Sequence, residues 1–384
     1  MKDNSKIHVL HTISVSNLTG AAQPVLVLAK ALSIKNEIKL SVASPVSHGN
    51  IFMRFNDEGL KVIQEIDLSP RGVFPLSLLQ AIKLSRIMDA EKIDIVHCHL
   101  SHDHWVSFIA SAISKRKPKV VRTIHNTRLT AKRFDYRLLY GKMAKKIICI
   151  SEKHRNAVVG NFNIEPGRVD VIRSSVELNR FNPEKNAEEI ENFRNKFVIS
   201  KDDRIIGFVA RFKKGRGHSE IVEAFRKIKE SVPDAKLMLV GKGELLQEIK
   251  SLVKRTLMER SVIFTGYLKE ELPSAYKVMS AAAVLAEGND GSMRTVLEAM
   301  ACGTPVIAMN TGAASEIIES GVSGYVADDI EQMENRIAEV LKAQSLGRQM
   351  GEKARKRAMK LFSPGREADE HIELYKKLIS CTPL

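Results

Sequence analysis

The sequence is short of acidic side chains, of cysteine and of long apolar runs, and each shortage closes off a class of protein. Its 384 residues hold four cysteines, Cys98, Cys149, Cys302 and Cys381, with no C-x-x-C pair and no histidines at a completing spacing. That argues against a disulfide framework and a zinc site, and fits a reducing cytoplasm. No apolar run approaches the roughly 20 residues that a bilayer crossing needs. Residues 1–6 are polar and lead straight into an apolar run, so no signal peptide is expected. With 44% apolar residues the chain reads as soluble and globular, and its length suits two domains of roughly 100–200 residues each. The acid deficit is the shortage that asks for a partner: 45 Asp and Glu face 60 Lys and Arg, a formal charge of +15. A surface of that sign attracts phosphates, nucleic acid and anionic lipid headgroups.

The excess is concentrated in residues 115–146. There Lys115, Arg116, Lys117, Lys119, Arg122, Arg128, Lys132, Arg133, Arg137, Lys142, Lys145 and Lys146 are opposed by Asp135 alone, with Phe134, Tyr136, Leu138, Leu139 and Tyr140 interleaved. A solvated helix face and docking to an anionic membrane surface are the two readings. Nucleic-acid binding is set aside, because no reader motif accompanies the charge.

Short apolar runs at 7–12, 38–43, 93–97, 120–125 and 146–150 alternate with helical spacing such as 25–32 and 76–88. A second such series runs through 204–210, 236–240, 262–265, 281–286, 305–309 and 324–327. Strands alternating with helices predict parallel sheets, so the fold class is α/β, two Rossmann-like doubly wound domains. The segment around 176–183, with Asn182-Pro183, predicts the linker. We place the first domain at residues 1–180 and the second at 181–364. Ligands of such sheets bind beyond the carboxyl ends of the strands, so a crevice with these edges facing one another is the expected site.

The most informative stretch is Asp290-Gly291-Ser292-Met293-Arg294-Thr295-Val296-Leu297-Glu298, running on to Gly303 and Pro305. It parses as a loop, a helix, a glycine stop and a strand, with Asp290 as cap and Gly291 and Ser292 opening the helix. A helix N-terminus presents unpaired N–H donors and partial positive charge, which suits an anionic or oxygen-rich ligand. Glu298 lies further in, on the side of Arg294 and Thr295, where a carboxylate can accept from two adjacent ribose hydroxyls. The alternative readings are a plain cap for Asp290 and an i,i+4 ion pair with Arg294 for Glu298.

Two acidic residues, Asp290 and Glu298, separated by seven others and followed by Ala299-Met300-Ala301-Cys302-Gly303-Thr304-Pro305-Val306-Ile307 and Gly312-Ala313-Ala314-Ser315-Glu316, resemble glycosyltransferase family 4, the retaining GT-B enzymes of group 1. The family usually has Glu where this chain has Asp290. The resemblance implies that Asp290 binds hydroxyls of the transferred sugar, that N–H groups of Gly291, Ser292, Met293 and Arg294 hold its other oxygens, and that Glu298 holds the ribose. It extends to Arg211-Phe212-Lys213-Lys214-Gly215-Arg216-Gly217, where Arg211 and Gly217 match and Arg216 stands in the usual lysine position; these two cations would hold the diphosphate. Gly266, with Tyr267 and Leu268, resembles the turn beside the nucleotide base.

In the first domain Gly20, with Ala21 and Ala22, resembles a Gly-Gly-Ala-Glu turn whose acidic ending is here Gln23-Pro24; an ordinary strand–helix turn is the alternative. His125, closing a strand, resembles the histidine that touches the transferred sugar. The run His97-Cys98-His99-Leu100-Ser101-His102-Asp103-His104 invites a metal reading, but the resemblance implies a strand–loop–helix facing the acceptor, and no metal or other cofactor. Ser174-Ser175-Val176-Glu177 replaces the family's Asn-Gly-x-Asp near the linker. The tail helix, about 365–384, is expected to cross back onto the first domain.

Together these features predict retaining transfer from a nucleotide-diphosphate sugar to a hydroxyl of a glycan or lipid-linked acceptor, in bacterial envelope polysaccharide or lipopolysaccharide synthesis. The expected location is cytoplasmic and peripheral at the membrane's inner face. The departures at Asp290, Arg216 and Ser174-Ser175 keep a second reading open, a non-catalytic, membrane-docked relative that only binds sugar nucleotides.

Overall fold

The computed structural model describes residues 6–18, 22–70, 74–125, 134–182, 187–286 and 293–380. The chain divides into two compact units, Met1–Ser175 with Pro364–Leu384, and Val176–Ser363.

In the first unit β1 (Ile7–Thr12), β2 (Ile38–Ala43), β3 (Ile95–Cys98), β4 (Lys119–Ile124), β5 (Lys146–Cys149) and β6 (Val169–Val171) form one parallel sheet, in the order β2-β1-β3-β4-β5-β6. Strand residues alternate between two cores because successive side chains leave a strand on opposite faces. Val9, Ile95, Val121 and Ile148 meet Val25, Leu28, Ala29 and Leu32 of the helix Gln23–Ser33 and Ile372, Tyr375 and Leu378 of the helix Pro364–Ser380. Leu10, Val96 and Val120 meet Ala81, Leu84 and Met88 of the helix Phe74–Ala90 and Val106 and Ala110 of the helix Ser101–Ile113. The helix Gln23–Ser33 opens with Pro24 in its first turn, where the missing N–H costs nothing, and its apolar residues recur at i, i+3, i+4 and i+7. Leu28→Ala would leave a cavity costing about 2–5 kcal/mol.

In the second unit β7 (Arg204–Val209), β8 (Ala235–Val240), β9 (Val262–Gly266), β10 (Ala281–Val284), β11 (Val306–Met309) and β12 (Gly324–Ala327) are again parallel, in the order β12-β11-β10-β7-β8-β9. Ile205, Met238, Ala282 and Val306 face one core with the helices Leu272–Val278 and Arg294–Ala301. Ile206, Leu237, Ala283 and Ile307 face the other, with the helices His218–Ser231 and Ile330–Lys342. Strand order reverses between β7 and β10, the topological switch point at which doubly wound sheets bind ligands.

Three differences from the sequence reading concern the framework. The short edge strand β6 carries no sequence signal of its own and is recruited by pairing with β5, Ile147 opposite Val169 and Cys149 opposite Val171. The units part after Ser175, before the expected 180, because Val176 and Phe181 belong to the second unit's core and the Val176 N–H donates to the Phe362 carbonyl at 3.0 Å. Arg122, counted above among the surface cations, is 4% exposed: it sits mid-strand on β4, inside the first unit.

The outgoing and returning chains are tied within the first unit. Ser175 donates its N–H (3.0 Å) and its hydroxyl (2.5 Å) to Glu367 Oε2, and Arg366 donates to the Arg173 carbonyl. Burial nevertheless lifts the Glu367 carboxyl to about 7, against the lowering effect of the Ser175 bonds and of Arg366.

Candidate functional site

The second unit assembles its candidate site from the loops that leave β7, β8, β9 and β10. After β7, Phe212 is buried and turns its neighbours Arg211, Lys213 and Lys214 outward, where all three are exposed. Arg216 is half-buried. The turn ends at Gly217, whose φ of +91° starts the helix His218–Ser231 without a side-chain cap. A Cβ at Gly217 would lie 2.7 Å from Cβ of Leu285, just beyond β10, so only glycine lets the two flanks of the switch point approach so closely. His218 packs against Phe208 and Phe212, ring centroids 5.0 and 4.2 Å apart, and burial lowers its pKa to about 4. It acts there as a neutral spacer. Four basic residues are thus gathered at a helix N-terminus, where backbone N–H groups already favour an anion.

The loop after β8 holds this turn in place. The Phe212 N–H donates to the Lys242 carbonyl (3.0 Å), the Leu245 N–H donates to the Phe212 carbonyl (3.1 Å), and the Gly241 N–H donates to the Gly266 carbonyl (2.9 Å). Gly243 lies at φ +157°, where a Cβ would fall 2.2 Å from the Phe212 oxygen. Gly241-Lys242-Gly243 is not among the expected site residues, although a Gly-x-Gly directly after an apolar strand is a legible signal for it. Tyr267 is exposed, with Lys242 Nζ 4.8 Å from its ring centroid. Leu268, expected to line the base turn with Gly266 and Tyr267, is instead buried in the unit's core.

The helix Arg294–Ala301 begins later than expected. The sequence places Asp290 at its cap, with Gly291 and Ser292 opening it; the cap position is Met293, in a left-handed conformation (φ 46°), with its side chain buried. Met293 itself packs into the unit's core. Asp290, Gly291 and Ser292 lie outside the described residues, as does Gly20 in the first unit. Thr295 is half-buried in the first turn, and Gly303 (φ 73°) ends the helix as expected. Glu298 is 3% exposed and accepts at both oxygens: from Arg294 Nε at Oε1 (2.7 Å) and from the Tyr276 hydroxyl at Oε2 (3.1 Å). The i,i+4 ion pair is therefore present. Each carboxylate oxygen has two acceptor directions, so the pair leaves room for two ligand hydroxyls. Tyr276, fully buried, has its phenol pushed well up, by burial first and by Glu298 second. Its carbonyl is held by the Thr304 hydroxyl at 2.8 Å. No sequence pattern pointed to Tyr276, because its contact with Glu298 is made between two separate helices.

In the first unit the strand ends β1, β3 and β4 bring imidazoles together. His125 is buried, and burial holds it near a pKa of 3, with Arg122 the next cause. His99 Nδ1 lies 3.1 Å from His125 Nε2, and His99 Nε2 lies 3.1 Å from His11 Nδ1. His97 turns away, with Nδ1 2.6 Å from the Tyr375 hydroxyl and Nε2 2.7 Å from the Thr123 hydroxyl. Ring nitrogens of His11, His97 and His99 fall within 4.8 Å of one another, near enough for a metal ion. Every nitrogen of His97 and His99 is already in a hydrogen bond, however, so ligation would have to break those bonds. The tempting sequence run separates: His102 reaches Gln80 (3.1 Å), and His104 is buried apart. Asp103 is buried and fixes the loop that carries His99, accepting from the N–H groups of His99 (2.8 Å) and Leu100 (3.1 Å) and from the Ser14 hydroxyl (2.8 Å). Burial raises its pKa, with Arg122 opposing.

Among the described residues, the basic stretch divides between buried and exposed positions. Lys115, Arg116 and Lys117 are exposed in the turn before β4, and Lys142 and Lys145 are exposed just before β5. In a parallel sheet that is the edge opposite to His125. Leu139 and Tyr140 are core residues, and Tyr136 stacks on Tyr140 (5.6 Å), so these interleaved side chains pack inward and do not form an apolar surface. Arg128, Lys132 and Arg133 lie outside the described residues. No described helix is long and apolar enough to cross a membrane.

Residues 189–357 match the family "Glycosyl transferases group 1", and residues 19–180 match "Glycosyltransferase Family 4". The chain is 27% identical over 335 residues to N-acetyl-alpha-D-glucosaminyl L-malate synthase of Bacillus anthracis, covering 81% of this chain and 82% of that one. It is 24% identical over 316 residues to UDP-Gal:alpha-D-GlcNAc-diphosphoundecaprenol alpha-1,3-galactosyltransferase of Escherichia coli, covering 78% and 79%. Among solved structures, Anabaena HepE in complex with UDP superposes with a TM-score of 0.81 at 18% identity, over 97% of this chain and all of that one.

Proposed function

Because the chain is a family 4, group 1 glycosyltransferase with the GT-B fold, we propose that it moves a sugar, with retention, from a nucleoside diphosphate to a hydroxyl of a glycan or lipid-linked acceptor. The observation that carries this reading is the pairing, across the β7/β10 switch point, of a cationic turn with a buried carboxylate that keeps acceptor capacity. Glu298 takes the ribose diol and Arg211 and Arg216 take the diphosphate. Asp290, with Gly291, Ser292, Met293, Arg294 and Thr295, holds the transferred sugar. Gly266 and Tyr267 flank the base, and Gly20 and His125 serve from the first unit. In the reaction the bond from the anomeric carbon to the phosphate oxygen breaks, the acceptor oxygen bonds to that carbon on the same face, and the acceptor's proton passes to the departing phosphate. Cations and helix N–H groups supply the stabilisation of the leaving diphosphate, so no metal or cofactor is required.

Both enzymatic relatives carry an alpha linkage in their names, and an alpha product from an alpha-linked nucleotide sugar is retention. HepE binds UDP, which favours a uridine donor. The Escherichia coli relative acts on a diphosphoundecaprenol-linked sugar, and the exposed Lys115, Arg116, Lys117, Lys142 and Lys145 favour such an acceptor at an anionic membrane surface. Bacterial envelope polysaccharide or lipopolysaccharide synthesis, on the inner face of the cytoplasmic membrane, is the proposed setting. Binding to anionic vesicles should fall as salt rises, since each cation near such a surface contributes about 1 kcal/mol. Equal binding to neutral vesicles would remove the membrane part.

A panel of nucleotide sugars tests the whole. The expected result is an alpha product with turnover unaffected by chelators, and loss of turnover in Arg211→Ala. A beta product, or activity abolished by chelation, would overturn it. The departure of Arg216 from the family's lysine favours the second reading, a sugar-nucleotide-binding relative without turnover. Donor stabilisation of the fold with neither hydrolysis nor transfer would establish that reading instead.

A further inference from the structure

Three buried imidazoles run in a line from the interior of the first unit to the end of β4: His11, then His99, then His125. Their two contacts, each 3.1 Å between ring nitrogens, need one hydrogen apiece. Burial keeps all three rings neutral, His11 and His125 at about 3 and His99 well below the usual imidazole range, so each ring carries one N–H and one lone pair. Only two arrangements then satisfy both contacts. Either every N–H points from His11 toward His125, or every one points the other way. The free ends are His11 Nε2 and His125 Nδ1, both buried and without a partner. In the first arrangement the end hydrogen is on His125 Nδ1; in the second it is on His11 Nε2.

An orphaned buried N–H is the rarer vacancy in folded proteins, so the hydrogen belongs at the end that a ligand can satisfy. His11 is wholly enclosed, mid-sheet on β1. His125 is 6% exposed at a strand terminus. We propose that His99 and His11 are positioning residues: His11 Nδ1–H donates to His99 Nε2, His99 Nδ1–H donates to His125 Nε2, and His125 is thereby locked as the Nδ1–H tautomer, a neutral donor aimed at a ligand oxygen. The chain makes His125 a donor without charging it. Asp103 supports this by holding the His99 N–H at 2.8 Å, which fixes where the middle ring stands. No proton is transferred; the line sets orientation and tautomer only. That the ligand oxygen belongs to the donor sugar rests on the reading in the preceding section, whereas the tautomer itself does not.

The test is the ring-nitrogen spectrum of full-length protein labelled with 15N histidine, His125 being assigned by its loss in His125→Asn. The wild type should show a pyrrole-type Nδ1 and a pyridine-type Nε2 at His125. His99→Phe keeps a ring of similar size but no nitrogen, and should return His125 to the Nε2–H form and lower kcat about tenfold, the worth of one hydrogen bond, with little change in KM. His99→Asn places an amide donor near the lost Nδ1; it should restore the Nδ1–H tautomer and most of kcat. His99→Leu, with its melting temperature checked, covers a His99→Phe protein that fails to fold. An Nε2–H tautomer in the wild type, or a His125 spectrum indifferent to His99→Phe, would overturn the proposal. So would equal kcat in the Phe and Asn variants. A wild type that shows the predicted tautomer but turns over no nucleotide sugar would instead refute the transferase reading and leave the lock standing.

Discussion

Glu298→Gln distinguishes a ligand-binding carboxylate from a structural one. The carboxylate is buried, accepts from Arg294 and Tyr276, and has two acceptor directions unused. If those directions take the ribose 2′ and 3′ hydroxyls, the substitution converts two charge-assisted hydrogen bonds into neutral ones. The former are worth about 1.5–3 kcal/mol each and the latter about 0.5–1.5, so the loss is roughly 1.5–3 kcal/mol, or about 10- to 150-fold in Kd. If Glu298 only braces its helix, the same substitution weakens the site indirectly. Calorimetric titration with UDP and with 2′,3′-dideoxy-UDP, on wild type and variant, separates the two cases as a double-mutant cycle whose second member is the ligand. The diol reading expects the wild type to prefer UDP and Glu298→Gln to shrink that preference by this factor. It also expects the two proteins to bind the dideoxy nucleotide nearly alike. An equal loss for both nucleotides would refute the reasoning and leave Glu298 as a brace for Arg294 and Tyr276.

Two further outcomes concern stability. Burial holds His11, His104 and His125 at about 3, His218 and His371 at about 4, and His97 and His99 well below the usual imidazole range. These values are depressed, so their contribution is complete above the unfolded value near 6.5 and is lost as pH falls toward 4 and 3. Each contributes about 1.4 kcal/mol per pH unit in that window, so even three acting together remove roughly 4 kcal/mol per unit from a total of about 5–15. Glu367, raised to about 7, acts in the opposite sense, its contribution complete below 4.5 and lost as pH rises through 7, but it is one group against seven. Circular dichroism should therefore show cooperative unfolding between about pH 6 and 4; a native spectrum persisting at about pH 4 would contradict this. Gly243→Ala puts a Cβ 2.2 Å from the Phe212 oxygen at a strained φ. It should cost about 1–3 kcal/mol, lower Tm by roughly 2–10 °C and weaken UDP binding; an unchanged Tm would show that the loops after β7 and β8 are not locked together.

What the sequence disclosed and what it withheld divide along a physical line. Strand periodicity, the glycine that stops a helix, and a cationic turn between a strand and a helix are local signals, and they located both sheets, Gly217, Gly303 and the neighbourhood of Glu298. Each is written within a dozen residues. Tyr276 reaches Glu298 from another helix, Gly243 matters only because Phe212 passes beside it, and His11 joins His99 and His125 because β1 lies beside β3 and β3 beside β4. Sheet order, not spacing, makes those contacts. The same cause explains the errors. Arg122 reads as one more cation in a basic run until β4 is known to be an inner strand, and Leu268 reads as a pocket wall until the core takes it. The helix Arg294–Ala301 likewise has its cap position at Met293, whose burial in the core no local capping pattern announces. For this fold, therefore, motif reading finds the residues proposed to meet the diphosphate and ribose, because the signals for them lie where one strand ends and one helix begins. The residues proposed to set the tautomer and orientation of His125 are found only across neighbouring strand ends, where sequence separation is large and the strand order alone brings ring nitrogens to 3.1 Å.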